Sequence, residues 1–343
     1  MTHSVISRRA FIKGFAAAGV AGAAGLSPLS ALAASAKFGE NASTLTETRV
    51  LMGTFVGITL AGAPRARMED ALGRAFEHMG GLITIFDRFN PASALSVLNA
   101  EGRLKGAPTE LTALLDRSAR VGDLTGGAFN ITVQPLVDLF RRYSNPAGSM
   151  SIPAAELAEA RALVLADGWR TDGDAIRLAR PGMGLTLDGI AKGHIADEAS
   201  RFLIAEGLSN HLINAGGDIV AAGEKAPGRP WMVAVENPAA RGGFVRRMPL
   251  RDRAVATSGS YEIYYDASRR HHHLINPAAG ASPTDLVSAT VTARTAVEAD
   301  ALATSLSVMA PRDGLRLIAS LPGRECLLLT RDGGALRSSG WRA

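Results

Sequence analysis

The sequence predicts an α+β protein. Apolar residues recur at helical spacing in some stretches and alternate in others, and the two kinds do not interleave regularly enough for a doubly wound sheet. At 343 residues the chain exceeds what one hydrophobic core usually supports, which allows one large domain or two closely packed lobes. A 47% hydrophobic, 20% charged composition excludes a disordered or fibrous chain. With 5% aromatic residues and a net charge of +5, a dedicated nucleic-acid binder is also excluded. The single cysteine, Cys326, cannot form an intramolecular disulfide, and no Cys/His cluster has structural-zinc spacing. Its run Cys326-Leu327-Leu328-Leu329 points to a buried, inert thiol.

The first segment reads as an address. Ser7-Arg8-Arg9-Ala10-Phe11-Ile12-Lys13 is a basic head, Gly14 to Leu29 a weakly apolar middle, and Ala31-Leu32-Ala33 a small-x-small cleavage site, together a twin-arginine signal peptide. Four glycines between Gly14 and Gly25 make the same stretch a poor buried helix. Arg8, Arg9 and Lys13 lie in residues 1–33, which hold no acid, so much of the basic excess belongs to this address. The exported chain is expected in the periplasm, with no further stretch able to span a membrane. Residues 34–46 read as a linker, and 47–343 as the folded domain, with an N-terminal lobe to about 170 and a C-terminal lobe after it.

Alternation from Thr48 to Leu60 predicts the first strand. Leu72, Ala75, Phe76, Met79, Leu82 and Ile83 predict a helix over 66–85. Thr109, as N-cap, opens a second helix that Gly126-Gly127 stops after Leu124. Pro135 suits the first turn of a third, reaching Arg142, and a fourth runs from Pro153 to Leu165. Ala191, Ile195, Ala199 and Leu203 give a helix opening at Gly189 and ending at Gly207. Strands are expected over 212–222, 231–236, 254–257, 262–266 and 286–293. Thr295 and Glu298 form a T-x-x-E capping box for a helix to about Met309. After Pro311 come a short helix over 312–320 and a last strand over 326–330.

Three places could carry chemistry. Asp300 and Thr304, four residues apart, project from one helix face, and carboxylate plus hydroxyl suits a hard cation such as Mg²⁺. The same spacing equally allows Thr304 to bond back to the helix carbonyl while Asp300 favours the N-terminus. Thr186-Leu187-Asp188-Gly189-Ile190-Ala191-Lys192-Gly193 runs a strand into a glycine turn and a lysine on the following helix, a layout that can face a phosphate, although P-loop spacing is absent. Asn214 to Asp218 and Thr257 to Ser260 are small-residue turns of the same sort, or plain turns. His271-His272-His273 cannot all point one way, so the run offers a lone acid-base imidazole or a solvated turn rather than a chelating set.

Read together in chain order, eight segments carry a resemblance. They are Met52-Gly53-Thr54; Phe86-Asp87-Arg88-Phe89-Asn90-Pro91 through Ser96 to Asn99; Thr125-Gly126-Gly127-Ala128-Phe129-Asn130-Ile131-Thr132-Val133; and Gly189 to Gly193. Trp231 to Pro238, Ala256-Thr257-Ser258-Gly259, His273 to Pro277, and Ala299-Asp300-Ala301-Leu302-Ala303-Thr304 complete them. The chain resembles the ApbE family, the FAD:protein FMN transferases.

That resemblance implies a two-lobed, T-fold-like α+β enzyme. It would hold FAD as substrate with Mg²⁺ at the pyrophosphate, and move the FMN half onto a Ser or Thr of a target flavoprotein with release of AMP. By resemblance, Asp300, Thr304 and the Gly189 carbonyl are the metal ligands, and Lys192 faces FAD. Met52, Phe89, Ala128, Phe129 and Asn130 match flavin-contacting positions, and His273 matches the base for the acceptor hydroxyl. Thr186 stands where the family carries aspartate in a D-L-G-G-like turn, Asn130 also replaces an aspartate, and Pro-x-Thr-Gly has become Pro277-Ala278-Ala279-Gly280. With the twin-arginine head, these departures resemble the branch that serves nitrous-oxide reduction by flavinylating a membrane-bound electron-transfer protein. FAD pyrophosphatase activity and a non-catalytic flavin-binding accessory role stay open, as does Mn²⁺ in place of Mg²⁺.

Overall fold

The computed structural model describes residues 44–240 and 243–341. The signal segment and most of the expected linker lie outside them, and the described chain begins at Thr44, three residues before the expected start of the folded domain.

The first strand of the sequence reading is a hairpin, β1 (Thr44–Leu51) and β2 (Thr54–Ala61), paired Leu51 to Thr54. Met52 and Gly53 turn it with φ of 52° and 71°, the conformation whose twist suits paired strands. A two-residue turn keeps the even-odd phase of the alternation, so the pattern runs through it unmarked. β3 (Arg103–Leu104), β4 (Trp169–Asp172) and β5 (Ala175–Leu178) make a small separate sheet that the sequence reading missed. The stretch 212–222 is likewise a hairpin, β6 (His211–Ala215) and β7 (Asp218–Ala222), turned at Gly216-Gly217. β8 (Trp231–Glu236) pairs with β9 (Phe244–Leu250), a strand that the sequence pattern does not predict. β10 (Arg253–Gly259), β11 (Leu286–Ala293), β12 (Glu325–Thr330) and β13 (Ala335–Arg337) follow. They complete an antiparallel sheet of order β1-β2-β6-β7-β10-β11-β12-β13. Because β2 pairs with β6, chain from both sides of residue 170 shares that sheet.

Eight helices are described: α1 (Arg65–Phe86), α2 (Ala94–Glu101), α3 (Thr109–Leu124), α4 (Gln134–Arg142), α5 (Ala154–Ala162), α6 (Ala191–Ala205), α7 (Ala296–Val308) and α8 (Pro311–Ala319). The main core lies between one sheet face and the helices, with Ile58, Met79, Leu114, Leu203, Ile213 and Ala301 among its buried residues. On the other face the β8–β9 ribbon lays Trp231, Val233 and Met248 over Ile219, Ala221 and Val255. β7 is therefore buried along its whole length, and it carries Asp218 into the interior with it. No described helix is long and apolar enough to cross a membrane. Cys326 is fully buried on β12, which pushes its thiol up to about 11 and leaves it inert.

Other departures have local causes. The short α2 escaped the periodicity, although Ser93 caps it by accepting from the Ser96 N–H at 3.0 Å. Thr109 is inside α3, whose N-cap is Pro108. The expected strand over 262–266 is instead a 3₁₀ turn, Ser260–Glu262, followed by isolated bridges from Tyr264 to His272 and Asp266 to Asn145. The capping box does not form: Thr295 occupies the N-cap without a side-chain bond, and Glu298 binds Arg324 at 2.8 Å. A buried carboxylate from another helix takes over that task.

Candidate active site

Two helix N-termini meet at the centre of the site. Asp197 of α6 accepts from the Ala296 and Val297 N–H groups at 2.8 and 2.9 Å, satisfying donors that the first turn of α7 leaves open. In return Asp300 of α7 accepts from the Gly193 N–H at 3.0 Å. A Cβ on Gly193 would lie 2.4 Å from the Ala296 carbonyl oxygen and 2.8 Å from the Val297 Cα, so glycine alone lets the two backbones approach this closely. Gly189 is constrained the same way, because its Cβ would stand 2.9 Å from Thr304 Oγ1. Gly189, more than a hundred positions away in sequence, thus lies against Thr304, one turn along α7 from Asp300, and these three residues are the candidate cradle. Ser258, at the end of β10, adds its hydroxyl 3.2 Å from that of Thr304.

Beside this cradle lies a charge cluster that sequence reasoning had only in part. Lys192 Nζ is ion-paired with Asp218, whose side chain is 2% exposed. Burial opposes the Lys192 charge, but Asp218 and Asp300 hold its pKa above the ordinary value, so it is a cation. Burial and the neighbouring Asp218 push Asp300 up to about 7, against the pull of Lys192. Burial also raises Asp218, with Lys192 opposing. Asp218 was legible only as the end of a small-residue turn. It is 26 positions from Lys192, and no local pattern joins them. Two ionised carboxylates against one ammonium would leave a buried net negative charge, which a cation in the cradle would neutralise.

The residues assigned to flavin contact fall into two groups. Thr186 is buried, donates its N–H to the Ile131 carbonyl at 2.8 Å, and accepts from the Asp188 N–H at 3.2 Å. That backbone bond seats the 186–189 turn against Ile131, the residue that follows the segment Ala128 to Asn130. Asn99 fastens the same turn from α2, exchanging bonds of 2.8 and 2.7 Å with the Leu185 carbonyl and N–H. The Phe129 side chain is 4% exposed in the main core, so only its backbone can face a ligand. Asn130 caps the 3₁₀ turn Ile131–Val133, accepting from the Thr132 N–H at 2.9 Å and hydroxyl at 2.7 Å. Met52, half-buried, packs on the main core from the β1–β2 turn. Phe89 is 57% exposed, with the guanidinium carbons of Arg88 and Arg141 4.2 and 5.2 Å from its ring centroid.

The three histidines separate by environment. His271 Nδ1 lies 3.1 Å from Asp266 Oδ2. His272 is 1% exposed, and its Nε2 donates to the Pro283 carbonyl at 2.7 Å. Burial lowers its pKa despite that bond, so it is a neutral structural imidazole. His273 is half-buried, and its N–H donates to the Ile263 carbonyl at 3.3 Å, next to the 3₁₀ turn that follows β10.

Lys192 and the carboxylates of Asp218 and Asp300, buried near the Thr304 hydroxyl on an α+β scaffold, are groups whose chemistry can hold a cation and a phosphate, as a group-transfer enzyme acting on phosphates requires. The chain belongs to the ApbE family, whose model matches residues 52–328. The FAD:protein FMN transferase of Klebsiella pneumoniae (strain 342) is 30% identical over 279 residues, covering 78% of this chain and 79% of that protein. The flavin transferase ApbE from Vibrio cholerae superimposes with a TM-score of 0.75 at 26% identity, over 87% of this chain and 98% of that one. The ApbE protein from Thermotoga maritima gives 0.77 at 27% identity, over 87% and 97%.

Proposed function

We propose that this chain, after twin-arginine export to the periplasm, transfers the FMN half of FAD to a Ser or Thr hydroxyl of a target flavoprotein and releases AMP, with Mg²⁺ bound at the site. The observation that carries this reading is the convergence of the Gly189–Thr304 cradle and Asp300 on the Lys192–Asp218 pair. Among the described residues no three His, Cys, Asp or Glu side chains cluster to hold a metal. A cation here would have one carboxylate, a hydroxyl and a carbonyl, an all-oxygen set that fits Mg²⁺, which keeps waters and phosphate oxygens as its other ligands. Bound there, it would act as Lewis acid and template for the pyrophosphate.

The protein groups then have defined tasks. Lys192 offsets charge on the phosphate oxygens, and the Gly193 N–H fixes the Asp300 carboxylate. The acceptor hydroxyl oxygen attacks the phosphorus on the FMN side, the bond from that phosphorus to the bridging oxygen breaks, and AMP leaves with that oxygen. His273 takes the hydroxyl proton. Phe89 offers an exposed aromatic face to the flavin ring. The neutral residues Thr186 and Asn130, with the twin-arginine head, support a target in nitrous-oxide reduction: a membrane-bound electron-transfer protein.

Incubation with FAD, Mg²⁺ and a candidate target domain, followed by mass spectrometry, tests the proposal. An FMN-phosphoester adduct on a Ser or Thr is expected. Free FMN without adduct would make the chain a pyrophosphatase, and unchanged FAD would make it a binding protein.

A further inference from the structure

Phe89 presents a physical problem. A ring 57% exposed is not held by burial, yet a stacking face must be fixed to orient what stacks on it. The residue that holds it is its neighbour. Arg88 keeps its side chain 9% exposed and lays its guanidinium over the Phe89 ring at 4.2 Å. The guanidinium is itself fixed, because Nε and Nη2 both reach Asp188 Oδ2, at 2.8 and 2.7 Å. Burial opposes the Arg88 charge, but Asp188, helped by Asp138 and Tyr265, holds its pKa above the ordinary value. Asp188 belongs to the 186–189 turn, one residue before Gly189, and is one of the positions where this chain departs from the D-L-G-G-like pattern.

We propose that Asp188 is a positioning residue for the flavin ring: through Arg88 it fixes the orientation of Phe89, tying the ring's seat to the turn that also forms the cation cradle. The inference rests on the flavin-transfer reading and adds to it a specific role for this pair. A cation–π contact between a desolvated arginine and an aromatic ring is worth enough to hold one rotamer, and the ion pair supplies the second anchor. Arg141, 5.2 Å from the same ring, closes the arrangement from α4.

The test uses riboflavin, which carries the ring without phosphates, and ADP, which carries the pyrophosphate without the ring. Riboflavin affinity is read by fluorescence quenching, and ADP affinity with Mg²⁺ by calorimetry, on the folded chain. Asp188→Asn and Arg88→Gln should each weaken riboflavin about tenfold, and together no more than either alone, because they remove one linked contact. In a Phe89→Leu background Asp188→Asn should have no effect on riboflavin. ADP affinity should stay within about twofold of wild type throughout, since the variants leave the cradle residues in place. Unchanged riboflavin affinity, full additivity with Phe89→Leu, or a parallel loss of ADP affinity would each overturn the positioning role. A wild-type chain that binds ADP but not riboflavin would overturn the flavin reading itself, and the role with it.

Discussion

At the crossing of α6 and α7, Asp197, Asp218 and Asp300 are 6%, 1% and 3% exposed, whereas at the proposed flavin rim Phe89 is 57% exposed, with two guanidiniums near its ring. The crossing is held by reciprocal bonds between elements some hundred residues apart, with glycine where the backbones touch. At the rim the Phe89 ring is approached by the side chains of Arg88 and Arg141. The difference follows from what each end would handle. Neutralising a pyrophosphate needs fixed charge out of water, where each interaction is strong and reorganises little. Seating a flat ring needs an exposed face that a ligand can cover. Substitutions at the crossing should therefore act on turnover and folding together, and those at the rim on ring affinity alone.

The sharpest break is Asp300→Ala. It removes the one carboxylate proposed as a cation ligand, so transfer should be lost to below about one part in a thousand, on the order of what a charged group at a reacting phosphate supplies. Thr304→Ala should be milder. Calorimetry with ADP checks the cause: Mg²⁺ affinity unchanged by Asp300→Ala would separate this residue from the cation.

His273→Asn should slow single-turnover transfer by roughly 10²–10⁴-fold while FAD affinity holds, the effect of removing a positioned base. Loss of FAD binding in step with rate would make the residue a ligand contact. His271→Asn should change the rate little. His272→Asn should lower the melting temperature instead, because His272 is buried and bonded to the Pro283 carbonyl.

Gly193→Ala tests the crossing as packing. Its Cβ would meet backbone atoms of Ala296 and Val297, which cannot swing aside, so a loss of about 3 kcal/mol in unfolding free energy is expected, with weaker transfer. A neutral effect in denaturant melts would show that the helices can separate freely.

The smallest effect is a pH dependence. His194, 8% exposed behind the crossing, has its pKa lowered by burial to about 4 from 6.5. The unfolded imidazole takes up a proton first as pH falls, so His194's contribution to stability is complete above about 6.5 and is lost between there and 4. By pH 5 this amounts to about 2 kcal/mol. Comparing thermal unfolding of wild type and His194→Leu at pH 8 and pH 5 isolates it: the variant should lose less stability on acidification. An equal loss in both would assign the acid sensitivity to other groups.

Much of this molecule was written locally. The helices over 65–86, 134–142, 191–205 and 296–308 and the strands over 231–236 and 286–293 follow from periodicity and breakers, since side-chain burial repeats with the period of the backbone. The motif order likewise specified the family, and it put Asp300, Thr304, Gly189, Lys192 and His273 forward as candidates before any geometry. Hairpin turns at Met52-Gly53 and Gly216-Gly217 were hidden because two-residue turns do not disturb alternation. Tertiary structure alone decided which groups partner the candidates: Asp197 in place of the capping box, Asp218 beside Lys192, and Arg88 reaching across to Asp188. A hydrogen bond or ion pair between residues a hundred positions apart leaves no period in a sequence, because its geometry is set by how whole elements pack and not by the chain between them.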